Sequence, residues 1–353
     1  MTTKSKRSFW KTLSTLSLAL SFVVAGCGQT TPGPEKAAQP DQAGQPAAQA
    51  PAQPQKVTVM LDWFPNTNHT GLYVAKDKGF YKEQGLEVDI VQPGEGTVAN
   101  QLVAAGEVDF AISYQEAVTQ ARATDIPLVS IAAIIQHNTS AFASLKTANI
   151  QSPKDFEGKR YGGWGSPVEE AVIKAVMDKA GADASKVQNV TLGATDFFTS
   201  IGRDADFEWI YYGWDGVEAK RKGIDLNLLM LKDLDPALDY YTPVIITNEK
   251  NVAEKKELVK KFMTATAKGY QTAIENPGDA AAILIKNAPE LNADLVKASQ
   301  EWVSTKYQDD AAQWGIQKEE VWTNYAKWMH DRKLIPKMVE ANKSFTNEFL
   351  PAP

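Results

Sequence analysis

Four tryptophans stand between the amino-terminal leader and the carboxy-terminal helical region: Trp63, Trp164, Trp209 and Trp214. Three of them sit in segments that follow predicted strands. Trp63 belongs to Leu61-Asp62-Trp63-Phe64-Pro65-Asn66-Thr67-Asn68-His69, which is too polar and too rich in turn formers for a buried element. Trp164 belongs to Tyr161-Gly162-Gly163-Trp164-Gly165-Ser166. Tyr211-Tyr212-Gly213-Trp214-Asp215-Gly216 sets a carboxylate among three rings. Rings held open in turns can stack on a planar ligand, while nearby carboxylates and amides read its polar edge. Alternation along the strand turns Tyr212 and Trp214 toward the ligand side and Tyr211 toward the sheet. Glu169 has two readings, ligand contact and helix cap, because Ser166-Pro167-Val168-Glu169 also fits a capping box with proline at the first helical position.

Catalytic chemistry finds little to build on. There is no Gly-x-Ser-x-Gly elbow, no glycine-lysine phosphate loop and no paired-histidine zinc motif, and His69, His137 and His330 are far apart. Gly94-Glu95-Gly96-Thr97-Val98-Ala99 matches the dinucleotide pattern loosely. As an isolated match it reads as a strand-to-helix turn. The single cysteine, Cys27, excludes an internal disulfide and a cysteine-built metal site. No cofactor and no metal are expected.

The elements that must position these residues alternate. Val57–Leu61, Leu86–Val91, Val108–Ser113 and Pro127–Ile135 read as strands, with helices over Thr70–Lys78, Gly96–Ala105 and Gln115–Ala123. A second set follows: strands Lys159–Tyr161, Val187–Leu192, Phe207–Tyr212 and Leu226–Leu231, with helices Pro167–Ala180 and Gly216–Arg221. After strand Val244–Thr247 the chain reads as helix: Val252–Ile274, Pro277–Lys286, Asn292–Lys306 and Lys318–Asp331. In the last, Val321, Trp322, Tyr325, Trp328 and Met329 form an apolar stripe that reads as core. The succession predicts an α/β protein of two lobes, each with a parallel sheet covered on both faces, and a ligand cleft outside the carboxyl ends of the strands. The chain is expected to enter lobe two near Thr147 and return near Tyr241, so residues 56–146 and 242–353 form lobe one and 147–241 lobe two.

Composition agrees with an exported binding body. Of 353 residues, 43% are hydrophobic, and the formal charge of −6 argues against a nucleic-acid partner. Lys4, Lys6, Arg7 and Lys11 precede an apolar stretch from Leu13 to Ala25, the pattern of a secretory signal over residues 1–26. That stretch falls short of the roughly 20 residues a spanning helix needs. Val24-Ala25-Gly26-Cys27 resembles the bacterial lipobox, which makes Cys27 a lipid attachment site. Residues 27–55, almost wholly Gln, Ala, Pro and Gly after the cysteine, read as a disordered tether. A monomer on the extracytoplasmic face of the cell membrane is expected.

Leu61 to His69, together with Gly79-Phe80-Tyr81-Lys82-Glu83-Gln84-Gly85-Leu86 and Gly106-Glu107-Val108-Asp109-Phe110-Ala111, resembles one family. It is the group of bacterial binding proteins similar to the yeast thiamine-pyrimidine synthase, and the resemblance runs from about Val57 to the carboxy terminus. Tyr161–Glu170 and Tyr211–Ala219 look closest to the branch of lipoproteins that bind formylaminopyrimidine for ABC importers. The resemblance implies a two-lobed periplasmic-binding-protein fold of type II with two hinge crossovers, an aminopyrimidine ligand, an ABC permease partner and no catalysis. It implies Asn66, Tyr212, Trp214 and Glu169 for ring recognition, and Trp63, His69, Tyr114 and Trp164 as walls, with Asp62 beside them. The synthase branch carries a cysteine-rich segment that this chain lacks. A sulfonate or taurine receptor is the rival within the class, and it would need Arg122, Arg160, Arg203 or Arg221 in the cleft. A secreted pyrimidine-acting enzyme is the rival outside it.

Overall fold

The computed structural model describes residues 53–94, 98–193 and 195–352. The leader, Cys27, most of the tether and the centre of the Gly94–Ala99 turn lie outside the described residues. Short runs form ten strands among the described residues, and they divide into two five-stranded sheets. The first contains β1 (Gln55–Met60), β2 (Leu86–Val91), β3 (Phe110–Ser113), β4 (Leu128–Ala133) and β10 (Val244–Asn248), in the order β2-β1-β3-β10-β4. The second contains β5 (Ser140–Leu145), β6 (Arg160–Gly163), β7 (Gln188–Thr191), β8 (Phe207–Tyr211) and β9 (Leu226–Met230), in the order β7-β6-β8-β5-β9.

Each sheet has one antiparallel strand, and each is the first strand after the chain changes sheets. β10 runs antiparallel to β3 and β4, with Ile245 opposite Ile112 on one side and Ala132 on the other. β5 runs antiparallel to β8 and β9, with Phe142 opposite Trp209 and Leu229. The chain therefore crosses twice, in residues 134–139 and 231–243. The expected entry into lobe two near Thr147 moves upstream to 134–139. Ser140-Ala141-Phe142-Ala143-Ser144-Leu145 is a central strand buried on both faces, and its small residues hide it from a search for apolar runs.

Six helices matter for the site: α1 (Thr70–Asp77), α2 (Gln115–Ala123), α3 (Pro167–Ala180), α4 (Lys256–Glu275), α5 (Ala293–Tyr307) and α6 (Glu319–Asp331). α1 lies hard against α4, where a Cβ on Gly269 would run into the carbonyl oxygen of Gly71. Phe110 stacks on Phe262 of α4 at 3.9 Å between ring centroids, which joins the first sheet to its helices. In the second lobe Phe142 meets Phe156, Tyr161 and Phe207 edge to face.

The apolar stripe of α6 is core, as its spacing predicts, but its placement corrects the assignment of all of 242–353 to lobe one. Trp322 packs with Met60, Val118, Val244 and Ile246 of the first sheet and its helices. Tyr325, Trp328 and Met329 pack with Phe142, Tyr161 and Phe207 of the second. A stripe that winds around α6 thus serves both lobes, and sequence spacing alone does not say which sheet it covers.

The two crossovers are clipped together. Asn138 accepts from both the backbone N–H and the hydroxyl of Ser140, and donates through Nδ2 to the Leu238 carbonyl at 2.8 Å. Asp239 accepts from the Asn138 N–H at 2.9 Å and lies 2.7 Å from His137 Nδ1, while His137 Nε2 lies 3.2 Å from Asp310.

Candidate functional site

The loop after β1 is held by its own polar side chains. Asn66 caps the turn Thr67–His69: its Oδ1 accepts from Asn68 N–H at 2.9 Å, and its Nδ2 donates to the Phe64 carbonyl at 3.1 Å. His69 closes a capping box, with Nδ1 accepting from Asn66 N–H at 3.2 Å. That acceptor role leaves the ring proton on Nε2, which donates to Asp62 Oδ1 at 2.6 Å. Tyr114, at the end of β3, donates its hydroxyl to Asp62 Oδ2 at 2.6 Å. Burial raises the Asp62 carboxyl, but the hydrogen bonds from His69 and the Tyr114 hydroxyl outweigh it and hold the group below its ordinary value. Burial, then the Asp62 charge, raises Tyr114 well above a free phenol. Asp62 is therefore an ionised, buried acceptor at the carboxyl end of β1.

In the second lobe Glu169 is the cap of α3. Its Oε2 accepts from Ser166 N–H at 2.8 Å, and its Oε1 accepts from Tyr161 hydroxyl at 2.7 Å and from Trp164 N–H at 3.1 Å. The capping box is complete and Pro167 opens the helix. Three of the four lone-pair positions of this carboxylate are filled by its own lobe, so the capping role is met in full.

The alternation expected at the end of β8 does not reach Tyr212 and Trp214. The strand stops at Tyr211, and Tyr212–Gly216 wind into a π-turn, so two-residue alternation no longer governs where the rings point. Tyr212 leans on Trp302 of α5, centroids 5.0 Å apart. Tyr211 instead feels the charges of Glu116 and Asp62 from lobe one and Glu169 from lobe two, and its hydroxyl stands 3.5 Å from that of Thr242. Burial and those carboxylates push its phenol up. Trp214 packs partly buried against the first-lobe core. Its turn is tied to the β1 loop through Ser299 of α5, whose hydroxyl donates to the Gly213 carbonyl and bonds the Thr67 hydroxyl at 2.6 Å.

Exposure separates the remaining aromatics. Trp63 and Trp164 are 40% and 50% exposed, one in each lobe just past the first parallel strand of its sheet. Trp63 meets Phe64 edge to face at 5.7 Å. Trp209 lies half-buried in the second-lobe core beside Phe142.

Sequence reasoning missed Tyr211 and Glu116. Glu116 sits in the first turn of α2, two residues past Tyr114, so its position after a parallel strand was the available signal. Its neighbour Gln115 fixes the turn: Oε1 accepts from Tyr241 N–H at 2.8 Å and Nε2 donates to the Val321 carbonyl at 3.1 Å. Burial raises the Glu116 carboxyl to about 7. In the body of lobe two, burial and the charge of Asp196 also raise Asp215 to about 7.

Cations are spent elsewhere. Arg122 pairs with Glu249, Arg160 with Asp206, Arg203 with Asp204 and Arg221 with Glu218. Among the described residues no group of three or more His, Cys, Asp and Glu side chains is placed to hold a metal ion, and no helix is long and apolar enough to cross a membrane.

Two sheets joined by two crossovers, with polar groups from both converging at strand ends, define a two-lobed periplasmic-binding-protein fold of type II. The chain belongs to the NMT1/THI5-like family, whose signature matches residues 66–280. It is 33% identical over 297 residues to the formylaminopyrimidine-binding protein of Halalkalibacterium halodurans, covering 82% of this chain and 89% of that one. It is 26% identical over 306 residues to the 4-amino-5-hydroxymethyl-2-methylpyrimidine phosphate synthase of Legionella pneumophila, covering 84% and 92%. The alkanesulfonate-binding protein SsuA of Xanthomonas axonopodis pv. citri, bound to MOPS, shares the fold with a TM-score of 0.63 at 13% identity, covering 84% of this chain and 99% of that one.

Proposed function

We propose that this chain is a receptor that captures an aminopyrimidine of thiamine metabolism, formylaminopyrimidine or hydroxymethylpyrimidine, and presents it to an ABC permease. It would work on the extracytoplasmic face, as a monomer held by a lipid on Cys27. The observation that carries the reading is 33% identity across 82% of the chain to a formylaminopyrimidine-binding protein. The site chemistry supports it. Phenols and carboxylates from both lobes suit a neutral heterocycle with an amine and ring nitrogens, and the four arginines a sulfonate would call on are already in ion pairs. The ligand-binding residues are Asp62, Tyr114 and Tyr211 at the centre, with Trp63, Trp164, Tyr212 and Trp214 as the aromatic surround. Asn66, His69 and Glu169 hold the frame.

No bond is broken in this reading. Affinity comes from excluding water around a ring that touches both lobes, and closure follows from bridging them. The family also contains synthases, so the test is turnover. The purified mature chain is incubated with formylaminopyrimidine, denatured, and the released small molecule weighed by mass spectrometry. Recovery of the intact pyrimidine is the expected result; a product of altered mass would overturn the receptor reading.

A further inference from the structure

Glu116 is a carboxyl whose Oε2 is buried and has no hydrogen-bond partner among the described residues. The hydroxyls of Tyr240 and Tyr325 are in the same condition. These two phenols belong to the return crossover and to α6, their rings 4.3 Å apart. The Glu116 charge bears on both of them and on Tyr114 and Tyr211. Buried polar atoms are nearly always bonded, so a set of orphaned ones where two lobes and a crossover meet marks a place for polar atoms that are not part of the chain. Gln115 holds the turn through three hydrogen bonds to Tyr241 and Val321, which fixes the backbone that carries the carboxyl.

We infer that Glu116 is the specificity-determining residue of the site, reading the edge of the ligand that carries the ring nitrogen and the exocyclic amine. The inference rests on the aminopyrimidine reading above. A neutral carboxyl offers one O–H donor and one carbonyl acceptor side by side. That pair matches a ring-nitrogen acceptor next to an amine donor, two hydrogen bonds in one plane. Burial that keeps the group protonated up to about pH 7 supplies the needed form. The titratable groups facing it, Tyr114, Tyr211, Tyr240 and Tyr325, are phenols pushed above their ordinary values, so none of them ionises in the same range. Discrimination follows from the same atoms. A sulfonate has no donor for the carbonyl and meets an acid instead of a cation.

The test is calorimetric titration of the mature chain with formylaminopyrimidine at pH 6 and pH 8.5, for the wild type, Glu116→Gln and Glu116→Ala. The wild type should lose about tenfold in affinity at the higher pH, as the donor is lost. Glu116→Gln keeps a donor and an acceptor without a titration, so its affinity should change with pH only as much as the ligand's own protonation dictates. Glu116→Ala should bind about tenfold or more weakly at pH 6. Thermal unfolding of both variants keeps a folding defect from passing as a binding defect. Wild-type affinity at Glu116→Ala, or the same pH profile in the wild type and Glu116→Gln, would overturn the assignment of Glu116. Absence of pyrimidine binding by the wild type at both pH values would instead remove the ligand reading on which it rests.

Discussion

Asp62 is the anion on which the β1 loop and the end of β3 converge, and it takes a proton donor from each. Replacing it by asparagine sets an amide where two buried donors need an acceptor, so Asp62→Asn should cost about 2–3 kcal/mol of stability at pH 7. The sign of the pH dependence is fixed by the depressed folded-state value. The Asp62 contribution is fully present above the ordinary carboxylate range and lost as pH falls through the lower folded one. Chemical denaturation at pH 7 and pH 3 should therefore show a wild-type advantage that shrinks in acid; an equal advantage at both would contradict it. Trp63 stood out because turn formers follow a strand in the sequence, whereas Asp62 and Tyr114 entered only through the family resemblance. Tyr211 was read toward the sheet, and the carboxylates of both lobes that bear on it are far from it in sequence. Asn66 illustrates a different limit. Its type is right for a ligand amide, but both ends of the side chain are used by its own loop.

At the scale of elements, the capping box of α3 was visible in four residues, and the structure adds that Glu169 also gathers the Tyr161 hydroxyl and the Trp164 N–H. Glu169→Ala should lower stability by about 1–2 kcal/mol and release the Gly163–Ser166 turn, measured by denaturant unfolding and by faster amide exchange of Trp164 and Ser166. A variant as stable as the wild type would show that the cap is dispensable. Nine of the ten strands and the long helices were legible from apolar periodicity, while one-turn helices such as Phe80–Glu83 and Phe197–Ser200 are too short to show a period. β5 was not, since Ala141, Ala143 and two serines weaken its signal although Ser140–Ser144 are all buried. Missing it displaced the first crossover by several residues. α6 escaped assignment to a lobe for a related reason: its stripe was read, but two cores share it.

At the scale of the molecule, two sheets meet through paired crossovers, through α6 and through Ser299, which ties the Trp63 loop to the Trp214 turn. The fold places carboxylates and phenols at strand ends and holds Arg122, Arg160, Arg203 and Arg221 in ion pairs with carboxylates, so an uncharged, polar-edged ring suits the site better than an anion. The most direct measurement of that claim is calorimetric titration of the mature chain with formylaminopyrimidine and, separately, with taurine. The account predicts saturable one-to-one binding of the pyrimidine, with the negative heat-capacity change of buried apolar surface, and no binding of taurine at the same concentrations. Tight binding of taurine with none of the pyrimidine would contradict it.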